Sequence, residues 1–146
     1  MKTTNGKKPT AGSRQAGPAT EHADGARRAR EAIKKDPNAP EHYPALAGSL
    51  RMLAQFLRER NPEASDNLLH LACAAAWEAK RRSTPALVSG RTKQEVKILT
   101  AWVRMREHLA PEESEARMEQ IRCEYLAEAL RDSDSVHALA NPEPLD

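Results

Sequence analysis

Four stretches between residues 44 and 130 repeat apolar side chains at helical spacing. In the first stretch, four leucines follow one another at steps of four, three and four residues, namely Leu46, Leu50, Leu53 and Leu57. That spacing places all four leucines on one stripe of an α-helix. A proline, a glycine or a capping residue bounds each stretch. The chain is therefore expected to fold as an all-α bundle of about four main helices.

Helix start and stop signals set the expected boundaries. Asn61 is a good N-cap and Pro62 suits the first helical position, so one helix ends and the next begins there. Thr92 and Glu95 have the spacing of a capping box at the start of the third helix. The predicted helices cover about 44–60, 62–82, 93–109 and 111–131. Because alanine is frequent over 62–82, we expect this helix to be central and Trp77 to lie in the core.

The two ends of the chain have few large apolar residues. Residues 1–20 contain no Leu, Ile, Val or aromatic residue, and Ile33 is the one large apolar side chain of residues 21–35. Such segments bury too little surface to offset their conformational entropy. We therefore expect a disordered basic arm and Pro-rich linker at 1–41, with a short helix at 22–35 as an option, the bundle at 42–131, and a loose acidic tail at 132–146. Within that tail, Val136 and Leu139 are able to dock back weakly.

The net charge of +2 hides a strong segregation along the chain. Residues 78–106 carry eight Lys/Arg against two Asp/Glu, whereas residues 107–146 carry three against eleven. A basic third helix and an acidic fourth helix attract each other across a bundle, or they offer two oppositely charged faces to partners. The sequence leaves both options open.

Several classes of function are not expected. No apolar run approaches the roughly 20 residues that cross a bilayer, and the basic N-terminus has no apolar leader region, so we expect a cytoplasmic protein without a membrane partner. Nucleophile elbows, phosphate loops and dinucleotide fingerprints are absent from the sequence. We therefore predict no enzyme activity, no cofactor and no small-molecule substrate.

A metal site is also not expected. His70 and Cys73 lie three residues apart on one helix, which is half of a zinc site. His108 and Cys123 would have to complete the site from two other helices, and no tight ligand pair supports that completion. The sequence predicts free thiols and no metal.

The third helix has two apolar stripes, and the presence of a second stripe is the main indication of function in the sequence. One stripe is Val96, Leu99 and Val103, and the other is Ile98, Trp102, Met105 and Leu109. A bundle helix normally buries one broad stripe, so the second and bulkier one is the candidate protein-binding surface. The alternative is a central helix that buries both stripes.

A second functional hypothesis concerns residues 84–99, which resemble part of the helix-turn-helix pattern of bacterial repressors. Gly90 takes the place of the turn, and Ala86 lies four residues before it as the required small residue. Val96 and Leu99 follow at the two core positions. The resemblance implies a DNA-binding helix whose outward residues are Arg91, Thr92, Lys93, Gln94 and Lys97.

We accordingly expect a small non-catalytic regulatory or adaptor protein that binds a protein partner or associates with itself. The alternative is a DNA-binding regulator that uses residues 84–99 and the basic arm.

Overall fold

A computed structural model describes residues 17–131 and 134–140, which form α-helices and two short 3₁₀ turns and no strand. The helices are α1 (Pro18–Lys35), α2 (His42–Leu57), α3 (Pro62–Arg82), α4 (Gly90–Glu107), α5 (Ser114–Leu130) and α6 (Asp134–Ala140). The 3₁₀ turns are Pro85–Leu87 and Pro111–Glu113. The predicted all-α fold is confirmed. None of the described helices combines the length and apolar character of a bilayer-spanning segment.

Helix α3 is the centre of the bundle. It packs against α2, α4 and α5, and every residue from 71 to 79 is buried. Five of those nine residues are alanines, whose short side chains let the neighbouring helices approach closely. Trp77 belongs to the same core and is 9% exposed, as the alanine-rich pattern predicts.

The start of α3 agrees with the predicted boundary, and the start of α4 does not. The Asn61 side chain accepts a hydrogen bond from the backbone N–H of Ala64 at 3.2 Å. At α4, the hydroxyl of Ser89 accepts from the backbone N–H of Thr92 at 3.1 Å, so Ser89 is the N-cap. The predicted capping box of Thr92 and Glu95 is wrong, because both residues point into the bundle from inside the helix.

The optional short helix at 22–35 is present in the structure, where it begins earlier and packs on the bundle. Residues 1–16 lie outside the described residues, but residues 18–35 form α1, which lies against α2. Its buried face is mostly alanine, with Ile33 at the end of the helix. A Cβ built on Gly25 would lie 2.7 Å from the Ser49 hydroxyl, so the two helices meet through small side chains. An estimate based on large apolar residues alone underrates such a face.

The predicted loose tail also contains a helix. Helix α6 packs against α1 and α2 and buries Val136 and Ala140. The His137 Nε2–H donates a hydrogen bond to an Asp24 carboxylate oxygen at 2.8 Å. Residues 134–140 are therefore not loose, and the expected docking of Val136 and Leu139 is present. Residues 132–133 and 141–146 lie outside the described part.

We predict that Ile33→Ala lowers the free energy of unfolding by about 2–4 kcal/mol, because the buried side chain leaves a cavity between α1 and the bundle. Urea unfolding followed by circular dichroism measures this change. The exposed neighbour Glu31, changed to Ala, is the control and should alter stability by less than about 0.5 kcal/mol. Equal effects of the two substitutions would mean that α1 does not pack on the bundle.

Candidate functional site

Helix α4 is held against α2 by a buried ion pair. The Arg51 guanidinium donates two hydrogen bonds to the Glu95 carboxylate, at 2.8 and 3.0 Å. Glu95 is 4% exposed, and its hydrogen bonds raise the pKa of Arg51. A Cβ built on Gly48 would lie 3.3 Å from a Glu95 oxygen, so a residue without a side chain makes room for the pair.

Two further ion pairs join the other end of α4 to α3 and α5. Arg106 donates two hydrogen bonds to Asp66 of α3, at 2.6 and 2.9 Å. Glu107 accepts two from Arg117 of α5, at 2.8 and 3.0 Å, and this contact lowers the pKa of the Glu107 carboxyl. Glu95 and Glu107 are the only acidic residues of α4, and both are paired inside the bundle.

The face of α4 that points away from the bundle combines a row of apolar residues with the exposed polar residues Gln94 and Lys97. Ile98, Ala101 and Met105 follow the i, i+3, i+7 spacing and are all exposed, Ile98 by 37% and Met105 by 72%. We call these three residues the outward stripe. The opposite side of the helix buries Thr92, Glu95, Leu99 and Val103.

The four residues predicted to bind a protein do not share one exposed face. Ile98 and Met105 are exposed, but Trp102 is half-buried and meets the His70 ring edge-on at 5.2 Å between ring centroids. Leu109 lies beyond the end of α4, because His108 adopts a left-handed conformation with φ of 57° and ends the helix. The side chain of Leu109 packs on the core.

The predicted helix-turn-helix pair is not formed. Pro85–Leu87 is a single 3₁₀ turn of exposed residues, and Gly90 is the first residue of α4 and not a turn between two helices. Thr92, one of the five predicted DNA-contacting residues, is 1% exposed, so its side chain faces the bundle. The other four are exposed on the first two turns of α4, namely Arg91, Lys93, Gln94 and Lys97.

A groove of about 340 Å³ lies where the end of α3, the first 3₁₀ turn and the start of α4 meet. Its lining is three apolar residues and three lysines, namely Pro85, Val88, Val96, Lys80, Lys93 and Lys97. We call it the lysine-rimmed groove. Lys93 and Lys97 belong to the predicted DNA-contacting residues, but helical spacing could not predict the groove, because Lys80 and Val88 come from two other segments of the chain.

Trp77 lies next to Lys80, one of the residues of this groove. The Lys80 ammonium lies 4.2 Å from the centroid of the Trp77 ring. The indole N–H of Trp77 donates to Glu119 at 3.1 Å, and Arg122 donates to both oxygens of the same carboxylate at 3.0 and 2.5 Å. The contact with Arg122 is the main reason that the pKa of Glu119 falls to about 2.

A second, more polar cleft of about 510 Å³ contains His70. His70 stacks on Tyr125 at 5.0 Å, and its Nδ1 donates to the Asp66 carbonyl at 2.9 Å. The charges of Asp66 and Arg106 in this cleft are paired with each other. Cys73 is buried, and burial raises the pKa of its thiol to about 12. Among the described residues, no three His, Cys, Asp or Glu side chains are grouped closely enough to hold a metal ion.

No protein-family model, curated protein sequence or solved structure matches the chain.

We predict that Glu95→Ala lowers the free energy of unfolding by roughly 3 kcal/mol, because Arg51 loses the partner of a buried ion pair. The Arg51→Ala/Glu95→Ala variant should recover part of that loss, since no unpaired charge remains. Thermal or urea unfolding measures both, with the exposed Gln94→Ala as the control. A cost below about 1 kcal/mol for Glu95→Ala would show that the pair does not hold α4 in place.

We also predict the pH dependence of the Trp77 environment. A carboxyl whose pKa is lowered on folding contributes stability that is present above its ordinary pKa of 4.5 and is lost as the pH falls toward about 2. In a Trp102→Phe background, Trp77 emission should therefore stay constant down to about pH 4 and change below about pH 3. Circular dichroism must show that the helices persist over that range. A transition centred near pH 4.5 would contradict the role of Arg122.

Proposed function

We propose that the chain is a non-catalytic regulatory or adaptor protein that binds another protein through the outward stripe of α4. The observation that carries this proposal is the exposure of Ile98, Ala101 and Met105 in helical register on one face. An amphipathic helix of a partner binds by placing its apolar face against an apolar receptor surface, and the outward stripe is a surface of that kind.

The residue types of the stripe suit recognition. Met105 is the most exposed large apolar residue of α4, at 72%, and methionine is both enriched at interfaces and able to adapt its shape to a partner. Trp102 lies beside the stripe and is half-exposed, so its outer edge can extend the contact. Its packing on His70 holds the ring in one orientation before binding.

The charges around the stripe indicate the chemistry of the partner. Both acids of α4 are paired within the bundle, while the exposed charged residues of its first two turns are all basic, namely Arg91, Lys93 and Lys97. Complementary charge speeds association and excludes wrong partners. The favoured occupant is therefore an amphipathic helix of another protein with acidic residues beside its apolar face.

DNA binding remains the second candidate function. Lys93 and Lys97 are exposed one helical turn apart, and neither forms an ion pair with another described residue. Two such lysines are able to contact phosphates without any helix-turn-helix pair. If they do, Lys93→Ala/Lys97→Ala should reduce the slope of log affinity against log salt for a DNA duplex by about two. Absence of duplex binding at about 50 mM salt would exclude this candidate.

For the protein-binding proposal, we predict that Ile98→Ser/Met105→Ser weakens partner binding at least about 30-fold, which corresponds to about 2 kcal/mol. The melting temperature of this double variant should stay within about 4 °C of the wild-type value, because both side chains are exposed. The partner is first identified through a photocrosslinking residue placed at position 105, with nuclease added. It is then purified, and its dissociation constant is measured by calorimetry with both forms of the chain.

Two controls separate the stripe from exposed apolar surface in general. Phe56 is 46% exposed on α2, so Phe56→Ser removes a comparable side chain elsewhere and should leave binding unchanged. A crosslinker at the exposed position 31 on α1 should not capture the same partner. Equal loss of binding in the Phe56 variant, or unchanged binding in the stripe variant, would contradict the proposal. If sedimentation shows that the purified chain pairs with itself through the stripe, the occupant is a second copy.

A further inference from the structure

The lysine-rimmed groove combines an apolar floor with positive charge at three positions. Pro85, Val88 and Val96 provide the floor, from the 3₁₀ turn, the connection that follows it and α4. The three lysines come from two helices, Lys80 from α3 and the other two from α4. At about 340 Å³, the groove is at the small end of the range of ligand-binding sites.

The rim lysines are not neutralised within the described part of the chain. None of the three forms an ion pair there, and Lys80 instead lies over the Trp77 ring. The row continues along α4 at Arg104, whose Nε has no hydrogen-bond partner among the described residues. Lys93, Lys97 and Arg104 lie at i, i+4 and i+11, which places them along one side of the helix.

The acidic residues of the adjoining helices are engaged elsewhere. Glu78 is 2% exposed and is held by Arg81, Arg82 and Arg122. Glu95 is held by Arg51. The positive potential around the groove is therefore available to a ligand that approaches from solvent.

We propose that the lysine-rimmed groove binds an acidic segment of a partner protein that inserts one large apolar side chain onto the floor. The anchor displaces water from Pro85, Val88 and Val96, and flanking carboxylates contact the lysine ammonium groups. Backbone phosphates of a nucleic acid satisfy the lysines but offer nothing apolar for the floor. An acyl chain needs a longer apolar cavity than three side chains provide.

This site is separate from the outward stripe. Val96 and Met105 are nine residues apart, about two and a half helical turns, so they lie on opposite sides of α4. The apolar floor is therefore distinct from the stripe, although Lys93 and Lys97 flank both surfaces, and the variants Val88→Ser and Ile98→Ser/Met105→Ser test the two proposals separately.

The experiment uses a fluorescein-labelled peptide with one leucine flanked on each side by three Asp or Glu residues. Binding to the full chain is measured by fluorescence anisotropy at about 50 mM and about 500 mM NaCl. We expect saturable binding at low salt that weakens at least about fivefold at high salt, because screening shortens the range of the lysine charges. Replacing the leucine of the peptide with serine should weaken binding at least about fivefold, since the anchor is lost.

Variants of the chain test whether the peptide binds in the lysine-rimmed groove. Lys93→Glu/Lys97→Glu should weaken binding at least about tenfold, and Val88→Ser, which changes the floor outside any helix, should weaken it severalfold. Lys34→Glu/Lys35→Glu makes the same charge change at two exposed positions of α1 and should change binding less than about twofold. The uncharged stripe variant Ile98→Ser/Met105→Ser should also bind the peptide normally.

Three results would overturn the proposal. The first is no saturable binding up to about 1 mM peptide. The second is equal binding of the leucine and serine peptides, which would mean that only charge is recognised. The third is a DNA duplex that displaces the peptide at a lower concentration than unlabelled peptide does, which would assign the lysines to phosphate binding.

Discussion

The structure depends on the small side chains of α3. Every residue from 71 to 79 is buried, and the five alanines among them allow α2, α4 and α5 to pack against one helix at short range. Polar groups that lie within this close packing lose contact with water and therefore need hydrogen-bond partners in the protein. The buried Ser65 hydroxyl donates to the Ala54 carbonyl at 2.7 Å, and Glu78 is surrounded by arginines from its own helix and from α5. Close packing and the pairing of buried polar groups such as Ser65 and Glu78 therefore occur together around α3.

Helix α4 differs from α3, because its two acidic residues form ion pairs within the bundle and its basic residues remain exposed. Its two acids face inward to Arg51 and Arg117, so the exposed surface carries basic and apolar groups. Within α4, the acidic side chains thus lie on the inner side and basic side chains on the outer side. The outward stripe and the lysine-rimmed groove are two consequences of that arrangement on different sides of α4.

Much of the fold follows from local signals. The start of α3 at Pro62 and the burial of Trp77 were predictable, since a capping residue, a helix-starting proline and an alanine-rich stretch all act within a few residues. The packing of α1 was not predicted, because its buried face is mostly alanine. Each alanine buries little surface and stabilises the helix only against a closely fitting surface such as the one at Ser49. Helix α6 was missed for a related reason, since it is seven residues long and is held by contacts with α1.

The sequence by itself determined that the chain forms helices, approximately where the four main helices lie, and that the third helix of the predicted bundle has two apolar stripes. Only the tertiary structure decided which apolar residues of that helix are exposed. Ile98 and Trp102 share a stripe in the sequence, yet one is exposed and the other is packed on His70. The ion pairs of α4 join it to residues that are 40 or more positions away in the sequence, Arg51 for Glu95 and Asp66 for Arg106. Helical periodicity describes one helix alone, so it cannot specify such long-range pairs.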